Sequence, residues 1–134
     1  MRKVLLALTA VSLIAAPVSS VMAQSAVAVQ SDTFVAAKPT DVLSYNLLGL
    51  NVVNGQNETV GEIKDLVLSQ GNLAGYIISV GGFLGMGEHY VVVKPTAVKV
   101  AYSENDKKWT AVMNTTKDQL KGAPEFKYEG RWKR

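Results

Sequence analysis

The sequence of 134 residues contains no cysteine and only one histidine, His89. Without cysteine the chain has no disulfide bonds, no thiolate metal ligands and no thiol nucleophile, so its stability has to come from a hydrophobic core. We also expect no lipid anchor of the bacterial lipoprotein type, since that anchor is attached to a cysteine. One histidine beside Glu88 falls short of the three or four ligands that a metal site needs. We therefore expect His89 to have no chemical role.

Sequence patterns of the common hydrolases are missing as well. No Gly-x-Ser-x-Gly motif occurs, and His89 would have to be the only catalytic base. Glu62 and Asp65 could be considered as a catalytic carboxylate pair, but exposed charges on a hairpin are far commoner. We therefore predict that the protein is not an enzyme and has no cofactor and no metal.

Long apolar runs are scarce, and the clearest one lies at the beginning of the chain. Arg2 and Lys3 precede an apolar stretch over residues 4–16. Val21 and Ala23 occupy the two positions before a cleavage site at which a signal peptidase recognises small residues. The stretch is shorter than the ~20 residues that span a bilayer. Residues 1–23 are therefore predicted to be a cleavable signal peptide, and the mature protein is predicted to be periplasmic in a bacterium.

The predicted cleavage lowers the net charge of the protein. The whole chain has a net charge of +3, but Arg2 and Lys3 leave with the signal peptide, and 12 basic and 11 acidic residues remain. A net charge of +1 gives no reason to expect a nucleic-acid partner.

Residues 24–42 show no clear period and are predicted to be a flexible leader. From residue 43 the pattern is typical of β-structure, with turn residues such as Asn54-Gly55 and Gln70-Gly71 between apolar runs. The alternation slips between Ile63 and Leu66, which suggests a bulge or burial on both faces. Six strands are predicted, over residues 47–53, 59–68, 73–80, 90–93, 98–102 and 109–113.

One short helix is predicted near the end of the sequence. Thr116 and Gln119 have the spacing of a capping box, and Gly122 and Pro124 limit the helix to about residue 121. The predicted fold class is mainly β, with a barrel domain over residues 43–113. Residues 114–134 contain the short helix and a tail of aromatic and basic residues.

A glycine-rich loop over residues 81–87 connects the third and fourth predicted strands. Its glycines are Gly81, Gly82, Gly85 and Gly87. Backbone N–H groups in such a loop can bind an anion, but the loop lacks the Gly-Lys-Ser/Thr ending of a phosphate loop and precedes a strand. We favour a tight connection and keep a small-ligand or anion site as the alternative.

The tail combines aromatic and basic side chains. Phe126, Tyr128 and Trp132 alternate with four basic residues, so the tail could stack bases, meet an acidic partner or touch a membrane surface. In a structural interpretation, Phe126 and Tyr128 instead seal the small core. We name these three aromatics as candidate partner-binding residues, with Trp132 as the first.

Four segments together resemble the PRC-barrel family: residues 47–52, 60–66, 80–85 and 90–93. The resemblance covers about residues 43–102, and residues 116–128 are similar to the corresponding segment of small exported bacterial members. It implies a small six-stranded PRC-type β-barrel that serves as a protein-interaction module. It implies no catalytic residues. The expected function is therefore a non-enzymatic interaction or scaffold module with an unidentified protein partner, while contact with a membrane surface and association between copies remain open.

Export is the first testable prediction. Protein recovered from the periplasmic fraction should have the intact mass of a chain that begins at Gln24. Recovery of the uncleaved chain from the cytoplasm would contradict the prediction.

Overall fold

The computed structural model describes residues 12–16, 33–81 and 87–134. The chain divides into two compact units, Met1–Pro39 and Thr40–Arg134. The described residues of the first unit form no helix or strand. Most of the predicted signal peptide lies outside the described residues. In the parts of the chain that are described, no helix has both the length and the apolar character needed to cross a membrane.

The described residues of the second unit form six strands and two short helices. In chain order they are α1 (Ser44–Leu47), β1 (Asn51–Val53), β2 (Thr59–Ser69), β3 (Asn72–Val80), β4 (His89–Val93), β5 (Lys99–Ser103), β6 (Lys108–Val112) and α2 (Lys117–Lys121). One 3₁₀ turn follows β4 at Pro95–Ala97, and another lies at Gly130–Trp132, near the last described residue. The prediction of a mainly β fold with six strands is confirmed.

The six strands form one sheet in the order β4-β3-β2-β1-β6-β5. Strands β1 to β4 follow one another as an antiparallel meander, and the β5–β6 hairpin joins it through a parallel pairing of β6 with β1. Among the described residues the hydrogen bonding does not close the sheet, and β4 and β5 are its edges. One buried cluster nevertheless takes side chains from α1, β1, β2, β3, β4, β6 and α2. The sheet therefore wraps around a single core.

The first predicted strand begins too early. Residues 44–47 form α1, and the buried side chain of Leu47 joins the core from this helix. Gly49, with φ at +86°, then redirects the chain into β1. A short apolar run has no period of its own, so it can form a helical turn as readily as a strand.

The turn after β1 also differs in detail from the prediction. Positive φ occurs at Asn57 and not at Gly55. The loop is organised by the buried side chain of Asn54, whose Oδ1 accepts hydrogen bonds from the backbone N–H groups of Gln56 and Glu58 at 3.0 Å each. The turn at Gln70-Gly71 is confirmed, since both residues have positive φ between the paired residues Ser69 and Asn72.

Two further local predictions are confirmed. The β2–β3 register shifts between Ile63 and Asp65, which is the bulge that the slipped alternation indicated. The capping box of α2 is complete, because the Thr116 hydroxyl accepts from the Gln119 N–H at 3.1 Å and the Gln119 side chain accepts from the Thr116 N–H at 3.0 Å.

Strand β3 is buried on both of its faces. Tyr76, Ile78 and Val80 belong to the core cluster. Ile77 and Ser79 point to the opposite face, and yet they are only 4% and 6% exposed. Something other than the core must therefore cover the outer face of this strand.

Close packing of β2 against β3 gives a prediction for Gly61. A Cβ atom at this position would lie 2.5 Å from Ile78 Cγ2 and 2.8 Å from the Ser79 carbonyl oxygen. Gly61→Ala should therefore lower the free energy of unfolding by ~1–3 kcal/mol in urea denaturation. Gly55→Ala is the control, because a Cβ there meets nothing within 4 Å. Equal stabilities of the two variants would contradict this account.

Candidate functional site

The outer face of β3 is covered by the tail, residues 126–134. The Phe126 N–H donates to the Tyr90 carbonyl oxygen at 2.6 Å, which forms an isolated antiparallel bridge at the edge of β4. This bond brings the aromatic residues of the tail to the side of the sheet where Ile77 is buried. The tail is therefore part of the folded unit.

Three ring contacts hold the tail in place. Tyr128 packs edge-on against Tyr90 and against Phe126, with 5.1 Å between ring centroids in both pairs. Trp132 lies 5.5 Å from Phe126 at an angle of 46°. Such aromatic pairs contribute ~0.5–1.5 kcal/mol each beyond their buried area. The structural interpretation is therefore supported for Phe126 and Tyr128, whereas the Trp132 side chain remains 62% exposed.

Arg134 provides a polar contact between the tail and β2. Its guanidinium group donates to Asp65 Oδ2 at 3.1 Å and to the Tyr128 hydroxyl at 3.4 Å, and it lies 4.4 Å from the centre of the Tyr128 ring. Burial raises the pKa of Tyr128 above its ordinary value. The Asp65 carboxylate is thus paired within the protein.

The rings and strands enclose a cleft, which we call the tail cleft. It has a volume of about 440 Å³ and is lined by Asp65, Leu66, Val67, Leu68, Ile77, Val92, Phe126, Tyr128, Trp132 and Arg134. Leu68 and Val92 on its wall are 67% and 45% exposed. Apart from the paired Asp65 and Arg134 and the Tyr128 hydroxyl, its side chains are apolar. The tail cleft can therefore bind apolar groups from solution.

Tyr90 and Glu88 form a second hydrogen bond beside the tail, in which the Tyr90 hydroxyl donates to Glu88 Oε2. This bond, together with burial, raises the pKa of Tyr90 to about 12. The same bond lowers the pKa of the Glu88 carboxyl. Glu88 is therefore ionised at neutral pH.

Ionised Glu88 lies beside the glycine-rich loop, for which a small-ligand or anion site was the alternative prediction. Gly81 and Gly87 have positive φ, as the tight connection requires, while Gly82 and Gly85 lie outside the described residues. A polar cleft of about 400 Å³ adjoins Gly81, and both Glu62 and Glu88 line it. Lys117 also lines this cleft, Lys64 lies 3.2 Å from Glu62, and the Lys121 side chain lies next to Gly81, so the two carboxylates have basic groups close by.

His89 and the acidic residues considered above have structural partners. His89 Nε2 lies 3.2 Å from the Ala123 carbonyl oxygen and Nδ1 lies 3.8 Å from Glu125 Oε1, so the ring connects β4 to the segment before the tail. Glu62 pairs with Lys64 at 3.2 Å. Within residues 12–16, 33–81 and 87–134, no group of three or more metal-ligating side chains comes together.

Asp65, Ile77, Val92 and Arg134 are cleft residues that sequence reasoning missed. A signal for Ile77 was present, because residues 76–80 do not alternate between apolar and polar residues and a strand of that kind is buried on both faces. No comparable signal joins Arg134 to Asp65, which lies 69 positions earlier in the chain.

The PRC-barrel domain model matches residues 39–120. No curated protein matches the chain. The matched region contains all six strands, but it ends before the tail, so Phe126, Tyr128, Trp132 and Arg134 lie outside it.

The hydrogen bond between Tyr90 and Glu88 predicts a dependence of stability on pH. Because folding raises the pKa of Tyr90 from ~10 to about 12, this bond contributes fully below pH ~10, and its contribution is lost as the pH rises toward 12. Because burial also raises the pKa of Tyr128, the late-titrating tyrosinate absorbance of the folded protein should have contributions from both residues, and Tyr90→Phe should remove the Tyr90 component. The unfolded protein in urea is the control and should lack that component. An undiminished late-titrating absorbance in Tyr90→Phe would show that another group is responsible.

Proposed function

The chain belongs to the PRC-barrel family, and we propose that this protein is an exported, non-enzymatic interaction module that binds a protein partner at the tail cleft. The observation that carries the proposal is an open apolar cleft beside an aromatic side chain, Trp132, that is 62% exposed. Exposed aromatic residues beside a desolvated pocket are frequent energetic centres of protein interfaces.

The arrangement of polar groups around the cleft supports binding over catalysis. Asp65 is paired with Arg134, and Glu88 is hydrogen bonded to Tyr90. These bonds leave neither carboxylate without a partner, and the first of them connects the tail to β2. What the cleft presents to a second molecule is therefore apolar surface, whose burial is worth about 25 cal/mol per Å².

Export is supported by the sequence of residues 1–23, in which a positive start, an apolar stretch and the Val21 and Ala23 pair follow one another. The lack of cysteine makes the fold independent of the redox state of its compartment. A partner is therefore to be sought among exported proteins.

Truncation of Trp132 tests the proposal. Trp132→Ala should weaken partner recovery from a periplasmic extract at least tenfold, equivalent to ~1.4 kcal/mol. The melting temperature should fall only slightly, because the variant loses one ring contact with Phe126 and most of the Trp132 side chain lies in solvent. Tyr45→Ala is the matched control, since Tyr45 is an aromatic residue on α1 that is 71% exposed and does not line the tail cleft.

Two results would overturn the proposal. One is equal recovery of the partner by wild type and Trp132→Ala. The other is a lower melting temperature of Trp132→Ala with unchanged recovery, which would make Trp132 a structural seal.

A further inference from the structure

We infer that the tail cleft receives a short acidic segment of a protein that carries one or two large apolar side chains. This inference rests on the proposed function and specifies the chemistry of the partner. It is carried by three features of the described residues: the apolar lining of the cleft, the positive charge of the neighbouring tail residues, and the concave shape of the cleft.

The floor and walls of the cleft select apolar side chains. Ile77 lies at the floor and is 4% exposed, while Val92 and Leu68 remain largely open to solvent. A volume of about 440 Å³ lies within the range of ~300–1,000 Å³ that is usual for pockets that bind small ligands. A short segment fits this space better than the broad face of a folded domain.

The tail residues next to those that line the cleft carry a net positive charge. The tail contains Lys127, Arg131, Lys133 and Arg134 against a single acidic residue, Glu129. Arg134 is paired with Asp65, but among the residues that the structure describes no carboxylate lies within 4 Å of the other three basic groups. Arg131 and Lys133 flank Trp132 in the chain and are exposed. Charge complementarity therefore favours an acidic partner over a basic one.

The concave shape favours a peptide segment over a lipid surface. A tryptophan between two basic residues is also typical of proteins that bind anionic membranes. A bilayer could reach the exposed Trp132 ring, but a flat surface cannot reach Ile77 at the floor of the cleft. A single inserted side chain can fill that space.

Three labelled hexapeptides test the inference by fluorescence anisotropy with the full mature chain. The first is Asp-Glu-Leu-Phe-Glu-Asp, the second has lysine at the four acidic positions, and the third has serine at the two apolar positions. The first should bind at least tenfold more tightly than either of the others, and its affinity should fall as salt rises from ~25 to ~250 mM.

Paired variants separate charge from apolar contact. The double variant Arg131→Gln, Lys133→Gln should weaken binding of the first peptide about fivefold or more without changing the melting temperature. The matched control is Lys99→Gln, Lys108→Gln, which removes two exposed charges from the β5–β6 hairpin and should leave the affinity unchanged. Val92→Thr should also weaken binding, because it places a hydroxyl on the cleft wall.

The possible failures can be told apart. Equal binding of the acidic and lysine peptides, with both weakened by Val92→Thr, would overturn the acidic partner and leave the proposed function standing. Peptide binding that neither Val92→Thr nor Trp132→Ala affects would overturn the cleft as the docking site, and the proposed function with it. Trp132-dependent binding to phosphatidylglycerol vesicles, without binding of the first peptide, would replace the protein partner with a membrane.

Discussion

Strand β3 has to exclude water from both of its faces, because Tyr76, Ile78 and Val80 point into the core and Ile77 points away from it. One face is covered by the curved sheet and its two helices. The other is covered by the tail, which reaches it through the backbone bond between Phe126 and Tyr90. The position of the tail, and with it the shape of the tail cleft, thus follows from the need to bury the second face of one strand.

Two glycines allow the neighbouring strands to pack closely around β3. A Cβ atom on Gly61 would meet Ile78 and Ser79, and a Cβ atom on Gly75 would lie 2.9 Å from Val92 Cγ1 and from the Val93 carbonyl oxygen. A larger side chain at Gly75 would therefore be obstructed. Close approach at these positions places Val92 of β4 beside Ile77, and these two residues form part of the apolar lining of the cleft.

The tail is held mainly by its rings. The ion pair between Arg134 and Asp65 is exposed, and such pairs contribute only ~0–1 kcal/mol. The ring contacts of Tyr128 with Tyr90 and with Phe126 bury aromatic surface and contribute more. This division explains how one segment can serve both structure and binding, since Phe126 and Tyr128 stabilise the tail while Trp132, Arg131 and Lys133 remain available to a partner.

The sequence by itself determined the elements that depend on near neighbours. The strands from β2 onward, the bulge after Ile63, the turn at Gln70-Gly71 and the capped helix α2 all follow from patterns within a few residues. Only the tertiary structure decided that Leu47 lies in a helix and that Arg134 meets Asp65. These features depend on burial and on contacts between distant parts of the chain. No local pattern encodes such contacts, because their free energy exists only after the sheet has formed.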